Sequence, residues 1–241
     1  MNAELLKLRL LALPRWTAIA VLGGVVVTGA MLDVFPRDDG AAFIGVMGTV
    51  TSLLTEIAAI VLGAWAATLE FNSGALQRTL TAQADRSRVL LAKLGVLVLA
   101  VAALAIAAAA AAGGLVDVVT RQQGIDLDRG ELARTLFANV PAAITVTVVA
   151  FGLGLLTRSI GGAITVALTF VLVLPGLLVF LPAVNRLVYA TFEGDMTSRL
   201  AGDVAPGVEV HSLPVAVLGV VVWAVVLLVP GWLRFLRDDL K

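Results

Sequence analysis

The sequence predicts an all-α membrane protein with six transmembrane helices, and three observations carry that expectation. First, 60% of its 241 residues are hydrophobic and 14% are charged, for a mean hydropathy of +1.02. A soluble domain of this length needs a charged skin, and the chain has too few charges to make one. Second, apolar windows recur at residues 16–32, 40–69, 94–116, 135–157, 159–185 and 210–233, with Glu56 the only charge in any of them. A hydrocarbon core about 30 Å thick requires roughly 20 such residues per helix. Third, the charges between the windows sort by sign. Lys7, Arg9, Arg15, Arg78, Arg86, Arg88, Lys93, Arg158, Arg234, Arg237 and Lys241 fall on one side, against Arg37, Arg121, Arg129, Arg134, Arg186 and Arg199 on the other. Acidic residues show the reverse bias. The positive-inside rule then puts both termini in the cytoplasm, as an even number of spans requires.

The elements follow in order within a single transmembrane domain, 1–241. Residues 1–14 are leucine-rich and stop at Pro14, which suits a helix lying along the inner interface with Arg9 snorkelling. No persuasive small-residue cleavage site follows, so the first span, 16–34, is expected to be retained. The second span, 42–69, sits in a window of thirty residues. As a helix that window is about 45 Å long, so it tilts or runs on into the cytoplasm. A cytoplasmic loop, 70–88, leads to the third span at 90–116. The fourth and fifth spans, 134–157 and 159–181, are joined by a short inner turn at Arg158. Residues 182–209 form the longest external loop. There Val184, Leu187, Val188 and Thr191, then Phe192, Met196 and Leu200, trace an apolar helical stripe. The last span is 212–234. Lipid leaves backbone groups no partner outside a helix or a closed barrel, and the alternation a barrel needs is absent.

Composition narrows the chemistry. Without cysteine and with one histidine, the chain has no disulfide, thiolate metal site, cysteine nucleophile or paired-histidine metal site. Seventeen basic and seventeen acidic residues balance, so no nucleic-acid footprint exists. Glu56 stands out. Thr49 and Ser52 precede it by seven and four residues and share its helix face. A carboxylate at the bilayer centre costs about 2.5–3.5 kcal/mol on insertion scales, so this face should meet protein or water. One reading makes Thr49, Ser52 and Glu56 part of a translocation path or subunit seam. The other makes Glu56 a hydrogen-bonded structural residue that fixes helix packing. Small residues in 100–114 and at Gly152, Gly154, Gly161 and Gly162 would allow close helix approach. Pro141, Pro175 and Pro230 suggest kinks, and His211 suits an interface.

The loop after the second span reads Glu70-Phe71-Asn72-Ser73-Gly74-Ala75-Leu76-Gln77-Arg78-Thr79-Leu80, followed by Arg86, Arg88 and Ala92-Lys93. Here the chain resembles the integral-membrane permeases of the type-2 ABC transporter family. That family shows an acidic-aromatic pair before a Gly, a Thr-Leu stretch and an Arg-rich return to the third span. The opening Glu4-Leu5-Leu6-Lys7-Leu8 is similar too, while Ala75 stands where the family usually carries Thr. The resemblance implies a type-2 ABC exporter-like fold in a cell (plasma) membrane, the inner membrane in a bacterium. It implies a coupling helix seated in a separate ABC ATPase subunit, with Glu70 and Phe71 ending the span and Gly74 making the turn. Leu76, Arg78, Thr79 and Leu80 would form the contact. Basic residues beside it would meet anionic membrane lipids.

No phosphate-binding Gly-x-x-x-x-Gly-Lys-Ser/Thr run occurs, so the chain is expected to be no enzyme itself. ATP and Mg would belong to the partner ATPase, and no cofactor to this chain. Six spans would be half a translocator, completed by a second permease copy or a paralogue. Leu177 to Leu181, after Pro175-Gly176, would dip back into the outer leaflet as a re-entrant segment on the family analogy. Two alternatives remain: a secondary transporter using Glu56, and a non-transporting membrane scaffold.

Overall fold

Six helices long and apolar enough to cross a membrane make up most of the computed structural model, which describes residues 12–34, 40–73, 86–204 and 207–237. These stretches are Ala12–Leu32, Gly40–Leu69, Ser87–Gln123, Arg129–Thr157, Ile160–Leu178 and Leu213–Arg237. The helices are α1 (Ala12–Val34), α2 (Gly40–Ser73), α3 (Arg86–Gln123), α4 (Arg129–Phe137), α5 (Asn139–Thr157) and α6 (Ile160–Leu168). After α6 come a π-helical turn at Thr169–Val173, α7 (Leu174–Leu178), α8 (Pro182–Asn185), α9 (Tyr189–Ala201) and α10 (Leu213–Arg237). The described residues contain no strand.

Two helices outrun their apolar windows. The second span continues unbroken through 34 residues, about 51 Å, so it extends rather than stopping at the core boundary. The third carries on past Val116 to Gln123 because its charges pair locally. Asp117 meets Arg121 one turn later at 2.6 Å and Arg129 across the turn at 3.0 Å. Asp128 then caps α4, accepting hydrogen bonds from the backbone N–H groups of Glu131 at 3.0 Å and Gly130 at 2.7 Å. Those two bonds hold its carboxyl below the ordinary range. Pro141 explains why α4 and α5 are two helices. It has no N–H to offer Phe137, and the break falls at Ala138.

The fourth span is the axis of the bundle, with 61% of its apolar window buried against 11% for the last span. Phe151, Val146 and Ala150 of α5 pack with Ile60 of α2, Leu97 and Val101 of α3 and Val220 of α10. A second cluster joins α1, α2, α3 and α4 through Val25, Phe43, Met47, Ala108, Ala112 and Leu136. Part of the alanine tract in 100–114 is thus a packing face. Elsewhere the helices turn Val, Ile and Leu outward, as a lipid-facing surface requires.

Glycines set the closest approaches. A Cβ on Gly63 would lie 2.8 Å from Thr147 O, and one on Gly154 would lie 2.5 Å from the Ala67 Cβ. On the other side of α5, a Cβ on Gly152 would lie 2.8 Å from Leu227 O. Gly161, by contrast, has nothing close enough to explain it. Since Asn139 and Thr135 of the fourth span meet Gly48, while Gly154 meets Ala67, α2 and α5 run parallel. One end of the bundle therefore gathers Ser73, Arg86, Arg158 and Arg234. The other gathers Gly40, Asp126, Asp128 and Asp203. The turn at the basic end is tight: Arg158 adopts φ 56°, and Ser159 caps α6 through Gly162 N–H.

Pro175 is absorbed within the fifth span by a change of helix form. A proline ring clashes with the carbonyl four residues earlier, here Val171. The preceding turn widens into the π form, in which Leu174 N–H bonds Thr169 O, and the helix passes through to Leu178. Leu177 and Leu178 continue that helix, and Phe180 beyond it is 86% exposed. The reversal comes afterwards, at α8.

Gly154→Val should cost about 1–3 kcal/mol by overpacking the α2–α5 seam. Thermal unfolding in detergent would measure it, and an unchanged midpoint would show that the two helices can separate freely.

Candidate functional site

A helix from the long loop returns into the bundle, and its contacts give its depth. Trp223, near the middle of α10, donates its indole N–H to Leu187 O at 2.8 Å. The Tyr189 ring lies 5.9 Å from Phe170, half-way along the fifth span, and Phe170 lies 5.3 Å from Trp223. Tyr189 and Thr145 of α5 share a hydrogen bond at 2.9 Å. At its far end, α9 reaches Arg134, which approaches Gly202. So α9 climbs from mid-bundle to the acidic end. It begins at Tyr189 rather than at Val184, and its buried face carries Tyr189, Glu193 and Met196.

Between α9, α2 and the α4–α5 junction lies a 420 Å³ cavity. From α2 it takes Gly45, Gly48, Thr49, Ser52, Leu53 and Glu56; from α9, Thr197, Ser198 and Ala201; with Thr135, Asn139 and Asp203 completing the wall. Thr49, Ser52 and Glu56, singled out by spacing, are brought together as one lining. Glu56 is the deepest of the α2 residues, sixteen positions from Gly40, or about 24 Å along the axis.

Hydroxyl bookkeeping separates structural from available groups. Thr17, Thr28, Thr68, Thr120, Thr147 and Thr169 each return their proton to the carbonyl four residues back, which satisfies them within their own helix. Ser52 does otherwise, donating to Glu56 Oε1 at 2.6 Å. Asn139 bridges helices, reaching Gly48 O at 3.5 Å and Thr135 O at 3.4 Å.

The spacing argument missed a second carboxyl. Glu193 sits one turn deeper on α9 than Thr197, whose hydroxyl donates to Glu193 O at 2.6 Å. It is 8% exposed and lies within electrostatic range of Glu56; Tyr189 lies within range of both. Its signal was present in the sequence. Tyr189, Glu193, Met196 and Leu200 make an i, i+4, i+7, i+11 stripe, but a charge in an external loop was counted toward topology.

His211 does more than sit at an interface. Its Nδ1 lies 2.6 Å from Asp195 Oδ2, and its ring lies 4.8 Å from Phe192. Arg199 donates to His211 O and Val210 O at 3.1 and 3.2 Å. Together they strap the connection into α10 along the outer face of α9, and Arg186 pairs with Glu209 beside them. Of the expected coupling residues, Glu70 and Phe71 belong to the last turn of α2. Gly74, Leu76, Arg78, Thr79 and Leu80 lie outside the described residues, as does most of the 1–14 helix.

Tyr189→Phe removes the bond that fixes the buried start of α9. The expected loss is about 0.5–1.5 kcal/mol by thermal unfolding, with faster amide exchange across α9. Equal exchange in both proteins would mean that Thr145 does not hold it. Compared with known proteins, the chain matches no family model, no curated protein and no solved structure.

Proposed function

We propose that this chain is the permease subunit of an ATP-driven exporter, forming the translocation path as a dimer and driven by a separate cytoplasmic ATPase. The observation that supports this reading is the cavity around Glu56, a polar hollow on the flank of a helix bundle whose other outward faces are apolar. Ala41, Gly45, Thr49, Leu53 and Ile57 of α2 are exposed, so the hollow has no wall of its own on that side. Lipid would be a poor wall for a carboxylate and several hydroxyls. A second copy applying the same surface would close it, as two-fold interfaces do. Unbroken α2 also runs from the hollow to Glu70 and Phe71, just ahead of the segment that resembles a coupling helix. A push delivered there would reach Thr49, Ser52 and Glu56 through a rigid rod.

A chain without cysteine makes the dimer easy to test. Thr49→Cys should give an oxidised dimer in membranes, because a two-fold seam brings the same residue of both copies together; monomer alone would count against this seam. Leu76→Glu with Leu80→Glu should abolish co-purification with the ATPase while leaving membrane insertion intact. Undiminished co-purification would refute the coupling role.

A second reading gains from Glu193. Buried Glu193 within electrostatic range of half-buried Glu56 suits a proton-coupled secondary transporter better than Glu56 alone. Transport that survives ATP depletion and collapses with the proton gradient would establish it in place of the first.

A further inference from the structure

We infer that the cavity selects an organic cation of drug-like size. The inference rests on reading this cavity as part of a transport path, and it names the cargo's chemistry. Among the cavity's lining residues Glu56 and Asp203 are acidic, six others carry hydroxyl or amide groups, and none is Lys, Arg or His. The basic side chains nearest in the chain stand at the rim, Arg199 held by two carbonyls and Arg134 beside Gly202.

Glu193 lies behind the lining rather than in it, more than nine-tenths buried and one turn from Thr197, whose hydroxyl donates to its backbone carbonyl. Glu56 lies within electrostatic range of it and can only repel it when both are charged. A buried carboxylate is costly, and a cation entering beside Glu56 would offset the repulsion between the two.

Size decides what kind of cation. A dehydrated metal ion needs about six or more oxygen ligands drawn tightly around it. Among the described residues no group of three or more acidic or histidine side chains is placed to hold one. The 420 Å³ hollow falls instead in the range of pockets for small organic molecules, about 300–1,000 Å³. Leu53, Ala201, Gly45 and Gly48 give it apolar stretches beside the carboxyls, so the fitting ligand has an apolar body and a positive centre.

The experiment uses the full chain in lipid nanodiscs without ATP or ATPase, so its outcome is independent of the coupling tests above. Tetraphenylphosphonium and tetraphenylborate, alike in shape and opposite in charge, are titrated by calorimetry. Saturable binding of the phosphonium alone is expected, weakened about tenfold or more by Glu56→Gln and by Glu193→Gln. Glu56→Asp should restore much of it and serves as the control if a Gln variant is poorly folded. Equal binding of both ions, displacement of the phosphonium by sodium at equal concentration, or unchanged affinity in both Gln variants would overturn the proposal. Absence of phosphonium binding would also overturn it, leaving a site for protons only.

Discussion

Where α2 and α5 run side by side, Gly63 and Gly154 leave no space for a Cβ, and the two backbones touch. In lipid there is no hydrophobic gain from bringing helices together, because the tails are as apolar as the side chains. Contact must come from close fit. That fit places α5 at the centre of the bundle, with α10 seated on its opposite side through Gly152 and Gly231. It also sets the register that brings Asn139 to Gly48 and leaves the Gly45-to-Glu56 face of α2 open for α9 to border. The hollow is a consequence of a seam made tight below it.

Polarity is then distributed by the same solvent. Thr68 and Thr147, buried within the spans, spend their hydroxyls on their own helices. The groups that do not are concentrated around the hollow: Ser52 on Glu56, Asn139 between helices, Glu193 on the returning helix. The distinction rests on where each donor goes rather than on how polar the residue is.

Much of this arrangement was legible in the sequence because hydropathy is a one-dimensional signal. Six windows gave six helices, and the length of the second gave its overrun. The ends of the third and fourth spans were not legible, since Asp117, Arg121 and Asp128 read as loop until their pairing and capping are seen in three dimensions. Thr49, Ser52 and Glu56 were found because they recur at helical spacing on one element. Glu193 was not, because its partner lies on another element and only a chain reversal brings them together. The form of the irregularity at Pro175 was not legible either, because it is a wider turn ahead of the ring that absorbs the clash.

The returning helix has a consequence for how the protein is put together. Thirteen residues carrying Glu193 and Asp195 are too short and too polar to enter a bilayer as a span. Its seat is made by Thr145 on one side and by Trp223 and Gly219 on the other, and the latter two arrive only with the final helix. The segment must therefore wait for α10 before it can tuck into the bundle. Closure of the hollow is in this way tied to the arrival of α10: a nascent chain interrupted before that helix would leave the hollow without the wall that α9 supplies.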